Sequence, residues 1–186
     1  MDQSVEAPPA DSSFELARAG DLWAFRQLVR LHQARVFSIA LRLTGRRADA
    51  EELAQDVFVQ LHRALPQITN AQHMVHWLLR TVSHRCIDRL RQQERRPRLV
   101  PIEALREGTE PAAPEMEQDP LAGASLRRLV MQLQPDARAV VLLRFQEDLD
   151  PQDIARMLEM SVNTVKSHLR RSLEWMRAQL GDSDGY

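Results

Sequence analysis

The 186-residue chain is 44% hydrophobic and 27% charged, with a formal net charge of −1. That balance fits a globular protein and excludes a collagen-like or wholly disordered one. The single cysteine, Cys86, excludes an internal disulfide and fits a reducing cytoplasm, and no apolar run is long enough to span a membrane.

Good helix formers dominate, Gly is scarce, and strand and hairpin signals are missing, so an all-α protein is expected. Its expected form is two small helical domains joined by an acidic, Pro-rich linker. Residues 1–13 are acidic, contain proline, carry no apolar core typical of a signal peptide, and read as a disordered tail. Residues 14–96 read as amphipathic helices. Phe25, Leu28, Val29, His32, Val36, Ile39, Ala40 and Leu43 recur at i, i+3, i+4 spacing until Thr44-Gly45 breaks the pattern. Ala50, Leu53, Ala54, Val57, Phe58, Leu61 and Leu65 form the next stripe, with Asp49 as an expected N-cap and Pro66 as the stop. A third helix is expected from about His73 to Arg96, with Val75, Leu78, Val82, Cys86 and Leu90 on one side. Narrow stripes of this kind need one another for burial, which implies a three-helix domain.

Residues 97–120 carry five prolines and much acid, and read as the linker. Residues 121–180 are helical again, and 181–186 form a polar tail. In this second block Leu126, Leu129, Val130 and Leu133 mark one helix, and Pro135 opens another. Asp150 is the expected N-cap of a third, with Pro151 in its first turn. A tight turn at Ser161-Val162-Asn163 then leads into a final long helix.

The span Asp150–Leu180 has the layout of a helix-turn-helix. Ile154, Ala155 and Leu158 face Val162, Val165, Leu169, Leu173 and Met176. The outer face carries Asn163, Thr164, Lys166, Ser167, His168, Arg170 and Arg171. Short hydroxyls and amides near a helix N-terminus, followed by cations, suit the edges and phosphates of a major groove. The turn position that usually holds glycine is filled by Glu159, and a left-handed non-glycine residue there costs about 1–2 kcal/mol. Basic charge concentrates between Arg80 and Arg98, and acid between Glu103 and Asp119, so a nearly neutral chain still offers a local anion-binding patch. The pairs His73/His76 and His84/Cys86 lack third and fourth ligands at usual metal spacings. Phosphate-loop and nucleophile–base motifs are also missing, so neither enzyme activity, cofactor, metal nor small-molecule substrate is expected.

The stretch LQPDARAVVLLRFQEDLDPQDIARMLEMSVNTVKSHLRRSLEWMR resembles the C-terminal domain of extracytoplasmic-function (ECF) sigma factors. DAEELAQDVFVQLHRAL is similar to that family's polymerase-clamp-binding helix, and HWLLRTVSHRCIDRLRQQERR to its promoter-melting, −10-reading helix. The three motifs stand in the family's order and cover roughly residues 20–180. The resemblance implies a cytoplasmic alternative sigma factor whose partners are core RNA polymerase, promoter DNA and an anti-sigma factor. It implies docking on polymerase by Asp49, Glu52, Gln55 and Asp56. For the −10 region and melting it implies Asn70, Gln72, His73, Trp77, Arg80, Arg85 and Arg89, with Trp77 open to either base stacking or core packing. For the −35 region it implies Thr164, Lys166, Ser167, His168, Arg170 and Arg171, and it sets the helix near Arg138–Phe145 against the flap of polymerase. His168 stands where many relatives have arginine, and Met74-Val75 departs from the usual base-capture loop. A stand-alone helix-turn-helix regulator that binds duplex DNA without polymerase explains the second block but leaves the first and the linker without a role.

Overall fold

Helix boundaries follow from local chemistry. In the computed structural model, which describes residues 10–95 and 120–181, α1 spans Ala10–Arg18 and α2 spans Leu22–Thr44. Asp21 caps α2 by accepting from the Ala24 N–H at 2.8 Å. Gly45, at φ 70°, ends it in the left-handed conformation and donates to the Leu41 carbonyl at 2.8 Å. Helix α3 covers Arg47–Ala64 and runs into a 3-10 turn at Leu65–Gln67 containing Pro66. Helix α4 covers Ala71–Arg95. After the gap come α5 (Pro120–Gln132), α6 (Pro135–Phe145), α7 (Pro151–Leu158) and α8 (Val162–Gly181). Among the described residues there are only helices and connecting turns. Residues 1–9, Arg96, the expected linker apart from Pro120, and residues 182–186 lie outside the described residues.

Three local expectations need correction. Helix α1 begins at Ala10, inside the segment expected to be a disordered tail, because Phe14 is almost fully buried in the core and anchors it. Asp49 is not the N-cap of α3: Arg46 holds that position, and Asp49 lies in the first turn, where its charge still complements the helix dipole. The turn of the helix-turn-helix falls at Glu159–Ser161, so Val162 and Asn163 are already helical.

The N-terminal domain packs α1–α4 around Leu28, Ile39, Leu43, Val57, Leu61, Met74, Leu78, Val82 and Cys86, all essentially buried. Burial pushes the Cys86 thiol up to about 12, so the group is an inert apolar filler. In the C-terminal domain every side chain of α6 from Ala137 to Leu143 is buried. A helix buried on all sides needs cover on all sides. Helix α8 supplies one part, and α2 and α4 of the N-terminal domain supply another. One apolar cluster therefore runs continuously from Leu28 and Val82 to Val140, Leu143, Ile154 and Leu158.

Arg138 is the polar pin in this contact. Its side chain is 7% exposed, and its guanidinium donates to the carbonyls of Leu43, Met131 and Leu133. Each of these carbonyls lies at or just past the C-terminal end of α2 or α5, where the helix dipole is negative and spare acceptors are available. Burial lowers the pKa of Arg138, opposed through space by Glu94. An added Cβ at Gly45 would fall 2.2 Å from the Met131 methyl carbon, the far end of a flexible side chain, so it is the left-handed cap that calls for glycine here.

Candidate nucleic-acid and polymerase interface

Helix α7 opens with Asp150 accepting from the Gln152 and Asp153 N–H groups at 2.7 and 2.8 Å. Those bonds, the Asp153 amide first, hold its carboxyl below the usual carboxylate range. The helix ends at Glu159, whose φ of 56° and ψ of 40° are left-handed. The turn is thus built in the usual way on an unusual residue. Ser161 accepts from the Thr164 N–H at 3.0 Å and starts α8, and the two hydroxyls lie 2.8 Å apart. Val165 is fully buried beneath, which turns Asn163, Thr164, Lys166, Arg170 and Arg171 outward, with Ser167 and His168 half-buried beside them. All six expected −35 residues therefore share one outer region of α8. Arg170 meets Glu174 at 3.3 Å one turn on, but both side chains are largely exposed and the contact is weak.

At the start of α4, Asn70 caps the helix by accepting from the His73 N–H at 2.8 Å. His73 Nδ1 lies 3.1 Å from the Thr69 hydroxyl and 3.3 Å from its amide nitrogen. Asn70 and His73 are therefore joined in a capping network with Thr69, while Gln72 next to them is exposed. Thr69 escaped the sequence reading, although a threonine preceding an asparagine cap was the available signal. Met74, flagged as atypical for the loop, points into the core at 1% exposure. Trp77 is half-buried and packs against the core.

Arg80 and Arg85 are exposed on α4. Arg80 pairs with Glu159, whereas Arg89 is held within its own domain. It spans α3 and α4, donating to Asp49 at 2.9 Å and to Glu52 at 2.6 and 3.2 Å. Gln93 adds a 3.3 Å contact to Asp49. The Arg89 hydrogen bond, with its charge, holds the Glu52 carboxyl below its ordinary value, and Glu52 above all raises Arg89. So two residues expected to meet polymerase and one expected to meet DNA form a single intramolecular cluster. Gln55 and Asp56 are exposed on α3 beside it. Among the described residues no group of three or more His, Cys, Asp or Glu side chains is arranged to hold a metal ion, and no helix is long and apolar enough to cross a membrane.

Two helical domains, one with an exposed basic helix and the other a helix-turn-helix, define a class of DNA-binding transcription protein. Comparison with known proteins narrows the class. The Sigma-70 region 2 family model matches residues 28–96, and the Sigma-70 region 4 model matches residues 123–176. The chain is 34% identical over 169 residues to the ECF RNA polymerase sigma factor SigM of Mycobacterium tuberculosis, covering 90% of this chain and 81% of that one. It is 25% identical over 177 residues to SigW of Bacillus subtilis, covering 89% and 93%. Among solved structures, CnrH in complex with the cytosolic domain of CnrY shares the fold with a TM-score of 0.66, at 23% identity, over 95% of this chain and 99% of that one. The sigma factor RpoE of Bartonella quintana, bound to the anti-sigma factor NepR, does so with a TM-score of 0.65, at 18% identity, over 84% and 96%. The chain belongs to the ECF RNA polymerase sigma factors.

Proposed function

We propose that this chain is an alternative sigma factor that binds core RNA polymerase in the cytoplasm and directs promoter-specific initiation, leaving bond formation to the polymerase. The observation that carries this reading is the presence, in one chain, of an exposed polar and cationic row on α8 and an exposed arginine row on α4. On α8, Thr164, Ser167 and His168 are of a size to read base edges in the −35 major groove, while Lys166, Arg170 and Arg171 supply phosphate or guanine contacts. On α4, Arg80 and Arg85 hold the backbone of the −10 region. Gln72 and the Thr69–Asn70–His73 network border an extruded base, and Trp77 offers its exposed edge to unpaired strands. Two weak contacts on one promoter at fixed separation give specificity that neither has alone.

Gln55 and Asp56 form the direct polymerase-docking face. Arg89 acts through Asp49 and Glu52, fixing α3 against α4 so that the face is presented in one orientation. A protein partner of the anti-sigma type fits the same scheme, since RpoE has this fold and is bound by one. The docking step is tested by titrating labelled chain with core polymerase. The Gln55→Ala, Asp56→Arg variant is expected to bind about tenfold or more weakly, with unchanged helical circular dichroism. Equal binding by variant and parent would remove α3 from the interface.

A further inference from the structure

Asn163 is exposed in the first turn of α8. With Ser167, Arg170 and Glu174 it recurs at i, i+4, i+7 and i+11, so the four form one stripe. Val165, Ser172 and Met176 are buried on the other side of the helix. The stripe therefore runs along the outermost side of α8.

Its two ends differ in character. Glu174, with its side chain 57% exposed, closes the C-terminal end and lies 3.3 Å from Arg170. A carboxylate there is repelled by phosphates, which makes the stripe beyond Arg170 a poor surface for close approach to a duplex. The first two turns are the part that fits a groove, and recognition helices meet base edges with their N-terminal residues. Within those turns the hydroxyls nearest the start are already engaged. Ser161 accepts from the Thr164 N–H at 3.0 Å, and its hydroxyl lies 2.8 Å from that of Thr164. Among the described residues, the Asn163 side chain has no hydrogen-bond partner, so its carbonyl and its amino group are both available.

We propose that Asn163 selects adenine at one position of the −35 element. In the major groove adenine presents an acceptor at N7 beside a donor at N6, which one carboxamide matches with its amino group and its carbonyl. Guanine presents two acceptors, N7 and O6, so the carbonyl of the same amide would face an acceptor. Cytosine and thymine lack the paired donor and acceptor. The inference rests on the proposed reading of α8 as the −35 helix and adds which base a single residue chooses.

The test selects from a pool of duplexes randomised over the −35 element. It uses the full chain, alone and as holoenzyme with core polymerase, and compares the parent with Asn163→Ala, Asn163→Gln and Asn163→Arg. The parent is expected to enrich adenine about tenfold or more at one position. Asn163→Ala should lose that preference at that position and keep the rest of the profile. Asn163→Gln should retain it, because glutamine carries the same amide, and Asn163→Arg should move it toward guanine. Helical circular dichroism should be equal in all four proteins, since the side chain is exposed. An alanine variant with the base profile of the parent would overturn the proposal. So would a preference lost at a position where the parent selects guanine, cytosine or thymine, or a uniform fall in affinity with an unchanged profile. Adenine selection that depends on Asn163 in a chain that never binds core polymerase would refute the proposed function and leave this inference standing. Promoter-specific transcription with a profile indifferent to Asn163 would do the reverse, and a parent that binds no duplex in either form would overturn both.

Discussion

Glu159→Gly separates two effects that meet at one residue. Glycine adopts φ 56° without the steric penalty of a side chain, which relieves about 1–2 kcal/mol. The same change deletes the ion pair to Arg80, which at this exposure is worth about 0–1 kcal/mol. The net expectation is a gain of about 1 kcal/mol, or roughly 2–4 °C in Tm for a chain of this size. Glu159→Gln keeps the backbone cost and loses the charge, so it should fall at or slightly below the parent. Urea unfolding of parent and both variants, followed by circular dichroism at fixed pH and low salt, gives the comparison. A Glu159→Gly protein no more stable than Glu159→Gln would refute the claim that the turn is strained.

Ser83 is fully buried on α4 and its hydroxyl has no hydrogen-bond partner, so Ser83→Ala should stabilise the fold by about 1 kcal/mol in denaturant titration. Burial, then the nearby Arg35 charge, lowers the His32 pKa. The folded state therefore takes up a proton less readily than the unfolded chain, and stability declines as pH falls below the ordinary histidine value of 6.5. His32→Gln should flatten that decline in thermal melts between pH 7 and 5. Glu52 is held low by Arg89, so its contribution is present above the ordinary carboxylate value and is lost as pH falls through the depressed one. Arg89→Met should abolish that part of the acid-side slope. Lys166→Ala should reduce the slope of log affinity against log salt for −35 duplex by about one if its contact is to phosphate, and leave the slope but relax base preference if its contact is to guanine.

The apolar stripes of α2, α3, α4 and α8 were readable because helical periodicity repeats along each segment. Gly45 and the Asp150–Pro151 start were readable because capping needs particular residue types. The N-cap of α3 was misplaced by three residues, from Arg46 to Asp49, because an acid in the first turn looks like an acid at the cap in a sequence. The complete burial of α6 was not legible from its own pattern, since its second cover comes from α2 and α4, which lie far earlier in the chain. The side chains on the outer face of α8 were found by elimination of the buried stripe, and the structure keeps them together. Arg89 was harder: its partners Asp49 and Glu52 lie 40 and 37 positions away, and no local spacing announces them. The pairs Arg80–Glu159 and Arg91–Asp136 are longer-range still, at 79 and 45 positions, and depend on how one domain meets the other.

The central claim is that this chain delivers polymerase to promoters by reading DNA through α8. The most direct measurement is transcription in vitro with purified core polymerase and a pool of promoter fragments, comparing the parent with the Arg170→Ala, Arg171→Ala variant. Promoter-specific transcripts that require the parent and fall at least tenfold with the variant are the expected result. Tight binding to duplex DNA with no binding to core polymerase and no transcripts would contradict it.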